Sequence, residues 1–142
     1  MGYQSVLENM MEEKLMSIHT AFIGKIISLS ADKSKATIQP LNKVKQYAKT
    51  AQKQSILQDV PILYNARYKL KPKKLKYVSN VSDHSPVFET LETVERIELK
   101  SGDVVFCVCA DREISETKNG NFALPSVARH HNQSDCVIVG VL

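Results

Sequence analysis

Ser101-Gly102-Asp103-Val104-Val105-Phe106-Cys107-Val108-Cys109-Ala110-Asp111-Arg112-Glu113 and Arg129-His130-His131-Asn132-Gln133-Ser134-Asp135-Cys136-Val137-Ile138-Val139-Gly140-Val141-Leu142 are the two stretches that decide the fold. In the first, a Gly-Asp turn feeds an apolar strand, with Gly102 supplying a positive φ at little cost. A charged crossing and an Arg-His segment then lead into a second apolar strand. This is the layout of the closing half of a small β-barrel with polar groups at its rim. Both strands are apolar at nearly every position, whereas a barrel strand with one wet face should alternate. Their outer faces are therefore expected to be covered by the N-terminal helix or by another chain. Val105, Cys107 and Val139 are the strand residues assigned to a possible subunit interface.

Upstream, Ala21 to Leu29 is rich in β-formers, Ser30 to Ser34 is a polar turn, and Lys35 to Leu41 returns as a second strand. Pro40 cannot donate to a ladder, so it should end that strand or lie at an edge. Ser55 to Tyr64 reads as a third strand, with Pro61 marking an edge or bulge. The polar, lysine-rich segment from Asn42 to Gln54 fits a short helix or a long loop. Residues 65–95 exceed the usual length of an unstructured connection, which predicts an internal hairpin or a functional excursion. Within them Asn80 to Pro86 has turn chemistry. Val87 to Leu99 has strand composition, with a bulge expected near Val94 to Arg96.

Residues 3–18 predict a helix. Val6, Leu7, Met10, Met11, Leu15 and Ile18 share one side at 3.6-residue spacing, and Glu8, Asn9 and Glu12 lie opposite. Such a helix must pack on its own barrel or on a neighbouring subunit, so Val6, Met10 and Leu15 join the candidate interface. The expected organisation is a single domain: a helix over 1–19, then an all-β, five-stranded OB-like barrel over 20–142 carrying a long basic excursion.

At 142 residues and 43% apolar composition, the chain is sized for one globular core. No run approaches the roughly 18 apolar residues of a membrane span, so no stable span is expected. The N-terminus lacks a secretory pattern, and Val6 stands where a myristoylation signal needs Ser or Thr. Synthesis in the cytoplasm is the expectation. Three cysteines argue against a disulfide framework. Cys107 and Cys109 share one strand face and read as small buried residues, and no Cys/His spacing matches a zinc site. Neither metal nor cofactor is expected.

The net charge of +4 is unevenly placed: residues 42–76 hold nine lysines and Arg67 against Asp59 alone. Such a segment suits a solvated loop face, a nucleic acid or an acidic partner. Arg67, Lys69, Lys71, Lys73, Lys74 and Lys76, beside Tyr64, Tyr68 and Tyr77, have the composition of a single-strand nucleic-acid site. Their place in an excursion and the lack of Trp make nucleic acid an unlikely partner. No G-x-S-x-G, phosphate-cradling glycine loop or H-E-x-x-H occurs, so no enzyme is expected. His130 and His131 point opposite ways on extended chain, which weakens an acid–base group with Asp111 and Asp135. A structural pair fits better, with Arg129 or His130 bound to Asp111 or Asp135 and locking the crossing to the barrel end.

Taken in order, the motifs resemble the N-terminal OB-fold domain of bacteriophage baseplate central-spike, or membrane-puncturing, proteins. A leading helix enters Thr20-Ala21-Phe22-Ile23-Gly24-Lys25-Ile26. Thr37-Ile38-Gln39-Pro40-Leu41 resembles the family's Val-Gln-Pro strand, and Asp59-Val60-Pro61 its Asp-Val-Pro strand. Gly102-Asp103 resembles its Gly-Asp turn, and Asp111-Arg112-Glu113 its acidic-Arg stretch. Arg129-His130 through Ser134-Asp135-Cys136 resembles the closing segment. The resemblance implies a homotrimeric structural protein of the virion, on the axis of a phage-tail baseplate, joining tube or hub to the puncturing tip. Gln39, Pro40, Asp59, Pro61, Gly102, Asp103, Asp111, Arg112, Arg129, His130, Ser134 and Asp135 are its motif positions. In the family a β-helix with a metal-capped tip follows this domain. The sequence stops at Leu142, so neither needle nor tip iron is carried over, and a separate tip or a shortened adaptor in a phage or prophage is expected. Residues 65–95 look longer and more basic than the family's loop.

Overall fold

The computed structural model describes residues 2–45, 49–79 and 87–142, with backbone alone at 76–79 and 87–91. Strand outweighs helix, 41% to 19%. The elements are α1 (Tyr3–Met16), β1 (Ala21–Leu29), β2 (Lys35–Pro40), β3 (Leu57–Pro61), β4 (Tyr68–Ser79), β5 (Val87–Glu98), β6 (Val104–Cys109) and β7 (Cys136–Val141). The chain divides into two compact units, residues 1–67 with 100–142, and residues 68–99.

In the first unit a five-stranded antiparallel sheet runs β3-β2-β1-β6-β7 and curls into a half-barrel, an OB-like all-β fold. Its two outer strands approach where Ile62, just past β3, forms a parallel bridge to Ile138 of β7. The Leu63 N–H donates to the Ile138 carbonyl at 3.1 Å. The curl follows from irregular register. Bulges interrupt β1–β2 between Ile26 and Ser28, β2–β3 opposite Ala36 to Ile38, and β6–β7 between Phe106 and Cys107. Each adds local twist and bends its strand. Asp59 sits in the β3 bulge at φ +53°, left-handed backbone that Asp tolerates better than most residues.

Phe22 and Ile26 of β1, Ala36 and Ile38 of β2, Val60, Val105, Cys107, Cys109, Cys136 and Ile138 fill the interior. This corrects one expectation. Val105 and Cys107 are fully buried within their own barrel, so they are core residues and not subunit contacts. The uniformly apolar β6 does alternate in burial, Val105, Cys107 and Cys109 inside and Phe106 and Val108 half-exposed outside. Composition hid the period because the outer positions are apolar too.

Gly24 lies at the tightest approach in the sheet. A Cβ there would stand 2.6 Å from Ile38 Cγ2. Asp103 and Gly102 build the turn into β6. Gly102 has φ +94°, its N–H donates to the Ile26 carbonyl at 2.8 Å, and Asp103 Oδ2 accepts the Lys100 N–H at 2.9 Å.

The second unit is a two-stranded hairpin, β4 paired with β5 in unbroken register from Tyr68↔Glu98 to Ser79↔Val87. The bulge expected near Val94 to Arg96 is absent. Pro72, opposite Val94, is accommodated because both strands of a lone ribbon are edges. The turn expected over Asn80 to Pro86 lies outside the described residues, as do residues 46–48 of the 42–54 segment. The described part of that segment is loop, pinned by a Val44↔Gln52 bridge.

Two predictions follow from this packing. Gly24→Ala forces Ile38 to move and should lower unfolding free energy by about 1–3 kcal/mol in a denaturant titration, the usual cost of overpacking. Burial pushes the thiols of Cys107, Cys109 and Cys136 up to about 12, 11 and 12. At pH 8 all three should resist a thiol-reactive dye in native protein and react at once in denaturant, because the thiolate is the nucleophile.

Candidate functional site

Two kinds of feature occupy the outside of the barrel unit: a braced polar rim and two uncovered apolar faces. The rim is built from the Arg-His segment. The Arg129 guanidinium grips Asp135 through Nε to Oδ2 at 2.7 Å and Nη2 to Oδ1 at 2.8 Å. Asp135 is almost wholly buried and Arg129 about a third exposed. Asp135 bonding raises the guanidinium pKa further above its already high value. Of the pairings left open by the sequence, this is the one formed. The Asp135 carbonyl accepts the Ala110 N–H at 2.8 Å, which ties the same residue to the end of β6.

His131 is the joint of the rim. It adopts φ +43°, its N–H donates to the Asp111 carbonyl at 3.1 Å, and its carbonyl accepts the His19 N–H at 2.8 Å. One residue thereby fastens the crossing after β6 and the entry to β1. His130 beside it is exposed, so the two histidines do not share a site. Arg112 is half-buried with its Nε unbonded, and the same holds for His131 Nδ1. Glu113 accepts the Ser126 N–H and hydroxyl at 2.9 and 2.7 Å, which holds its carboxyl below the usual range and pins the crossing loop. Asn132 caps the turn before β7, its Oδ1 accepting the Ser134 N–H at 2.9 Å.

Gln39 braces the long loop. Its Nε2 donates to the Gln54 carbonyl at 2.7 Å, Gln54 Nε2 donates to the Asn42 carbonyl at 2.7 Å, and Gln133 Nε2 donates to Gln54 Oε1 at 2.6 Å. Pro40 ends β2 opposite Gly24, and Pro61 ends β3 opposite Lys35. The motif positions thus divide between strand ends, turns and rim bracing. The depressions around them are small, about 180 Å³ beside Glu113 and Ser126 and about 220 Å³ beside Ser28 and Asp59. Both fall below the ~300–1,000 Å³ typical of small-molecule sites.

The basic residues do not converge. Lys69, Lys71 and Lys73 lie on one face of β4, while Lys74 shares the other with Tyr68, Leu70 and Pro72, as strand alternation requires. Lys71 stands opposite Glu95, and Lys74 Nζ lies 3.6 Å from the Glu92 carboxylate. Residues 68–98 hold six bases and five acids, a formal charge of only +1. Lys76 is placed on β4 by its backbone alone. Arg67 instead stacks over the Tyr64 ring, 5.3 Å from its centroid.

The apolar faces are the larger signal. No residue of α1 is buried; Val6, Met10 and Leu15 are all exposed, together with Leu7, Met11 and Met16. An open concavity of about 590 Å³ runs beside Leu7, Met10, Met11 and Leu15. On the convex side of the sheet a second apolar row crosses the strands. Ile23 pairs with Phe106, Ala21 with Val108, and Val108 with Val137. Leu41 adjoins Ile23, its N–H donating to the Ile23 carbonyl at 3.0 Å, and Val139 is half-exposed at the β7 bulge. Ile23, Leu41, Phe106 and Val108 were missed in the sequence, although register with the buried Phe22, Val105 and Cys107 assigns three of them outward.

No protein-family model matches the chain, and no curated protein matches it in sequence.

Removing the rim clamp gives a direct check. Arg129→Ala strands a buried carboxylate, a class of change that costs about 3–5 kcal/mol. Thermal unfolding should fall by roughly 10 °C or more, whereas His130→Ala, on an exposed neighbour, should leave the midpoint within a degree or two.

Proposed function

We propose that this chain is a non-enzymatic structural module that works by assembly, an OB-like hub or adaptor on the axis of a phage-tail baseplate. The observation that carries the assembly half is the pair of uncovered apolar faces, the α1 ridge and the convex Ile23–Phe106–Val108 row. A monomeric protein seldom leaves contiguous apolar surface of this kind in water, and such patches mark contact sites. The barrel interior is filled by side chains, and the polar rim groups are spent on bracing crossings and loops. That economy suits a part that carries load between neighbours. The tail half rests on the ordered motif resemblance, in which Gln39, Arg129, Asp135, Gly102 and Asp103 occupy positions with a structural use. A homotrimer docked to tube, hub or tip proteins is the assembly this reading implies.

The nucleic-acid alternative is disfavoured by the split of Lys69, Lys71 and Lys73 from Lys74 across two faces and by the acids of β5. Two measurements test the choice. Antibodies against the chain should label one end of tail particles made in cells that express it, seen by electron microscopy. Oligonucleotide titration should give weak binding. A steep salt-dependent affinity, lost when Lys71, Lys73 and Lys74 are neutralised, would overturn the structural reading in favour of single-strand binding.

A further inference from the structure

The α1 ridge and the convex sheet row are both exposed on one chain, and the linker between them is held by backbone bonds. The Ser17 N–H still donates to the Glu13 carbonyl at 3.2 Å and the Ile18 N–H to the Leu15 carbonyl at 3.1 Å. The next residue, His19, is already bonded to the His131 carbonyl, and the Thr20 carbonyl accepts the Cys109 N–H at 2.9 Å. Folding α1 back onto β1, β6 and β7 would break these bonds in succession.

We infer that α1 of one copy packs its Leu7–Met11–Leu15 ridge on the Ile23–Phe106–Val108 face of a second copy. This deepens the proposed function by naming the self-contact, and it rests on the assembly half of that reading. Three features select a second copy as the occupant. The helix offers the Leu7–Met11–Leu15 ridge with Glu8 and Glu12 along one flank and Lys14 along the other, and α1 carries a formal charge of −2 from Glu8, Glu12, Glu13 and Lys14. The receiving strands β1, β6 and β7 contain no acid and one base, Lys25, which is exposed beside Ile23 and opposite Val104 and Gln39. Apolar surface therefore meets apolar surface, and the acidic flank meets the lysine. Finally, Gly140 opposite Phe106 leaves open space above its Cα, with nothing within 4 Å of a would-be Cβ, so no side chain of its own covers that point of the face. Ridge and face are different surfaces, so the contact is heterologous, and it makes a ring where its rotation closes and a filament where it does not.

A mixing experiment tests this contact. The helix variant is Leu7→Lys/Met11→Lys, at two exposed positions. The face variant is Ile23→Glu/Val108→Glu, at half-exposed outward positions. Wild type should run in light scattering as a multiple of 15.9 kDa, and each variant alone as a monomer with an unchanged circular dichroism spectrum. Mixed one to one, the intact face of the first receives the intact helix of the second, and a species of two chains should appear. If the face variant loses its sheet signal, Lys25→Glu replaces it and should weaken assembly several-fold at low salt, with recovery on pairing with Glu12→Lys. A monomeric wild type, variants that assemble as wild type does, or a mixture that stays monomeric each overturns the inference. Assembly that survives both variants, or tail labelling without mixing rescue, would retain the structural function and remove only this contact.

Discussion

The structure depends on the two-sided pairing of β1. That strand is hydrogen-bonded to β2 along one edge and to β6 along the other, so it carries the register of the whole curled sheet. Both neighbours close in at Gly24, which faces Pro40 on β2 and Val105 on β6 with Ile38 Cγ2 over its Cα. A side chain at this one inward position would hold β2 off and open the curl. The glycine costs conformational entropy, and a strand tolerates it where another side chain needs the space. The Gly102–Asp103 turn reinforces the same point of the sheet. The Gly102 N–H meets the Ile26 carbonyl and the Asp103 carbonyl accepts the Ile26 N–H, so the turn is tied to the strand next to which β6 must run.

The rim follows from that curl. A sheet bent this far presents strand ends whose crossings must be held down, and the chain does so mostly with backbone bonds that one side chain makes possible. Asp135 is the clearest case. Its buried carboxylate takes both arms of Arg129, and its carbonyl receives Ala110. Buried ion pairs of this kind contribute less to net stability than to a single geometry. Here that geometry decides where the 110–135 crossing lies, and with it the positive-φ conformation of His131, which anchors His19 and the base of α1.

Much of the barrel was legible in the sequence, and the reasons are local. The β-forming composition of Ala21 to Leu29, the polar turn at Ser30 to Ser34 and the prolines at 40 and 61 placed three strands to within two residues at most ends. The hairpin at 68–98 was legible from length alone, but its unbroken register was not. Composition suggested a bulge at Val94 to Arg96, whereas a lone ribbon has no second neighbour to force one. Val105 and Cys107 were misassigned because outer and inner residues of β6 are equally apolar. Hydropathy cannot separate two faces when both avoid water, and only the pairing with Gly24 and Phe22 fixes which side is in. The Gln39–Gln54–Gln133 relay was illegible for another reason. Its members are 15 and 79 residues apart, and amide side chains announce no partner.

The uniform apolarity of β6 and β7 is therefore the unresolved demand left by the fold, and it bears on α1. Packing inside the barrel uses one face of each strand and is complete without Phe106, Val108 or Ile23. Those residues do little for the isolated unit, since a side chain that remains some 40% exposed realises only part of its transfer free energy. The same holds for α1, none of whose fourteen residues is buried and which, at this length, is marginal as a lone helix in water. Tertiary contact normally supplies what propensity lacks. A helix short of a surface stands on the same chain as a sheet with a surplus one, and the bonded run from Glu13 to Thr20 holds the helix base to the barrel rim between them.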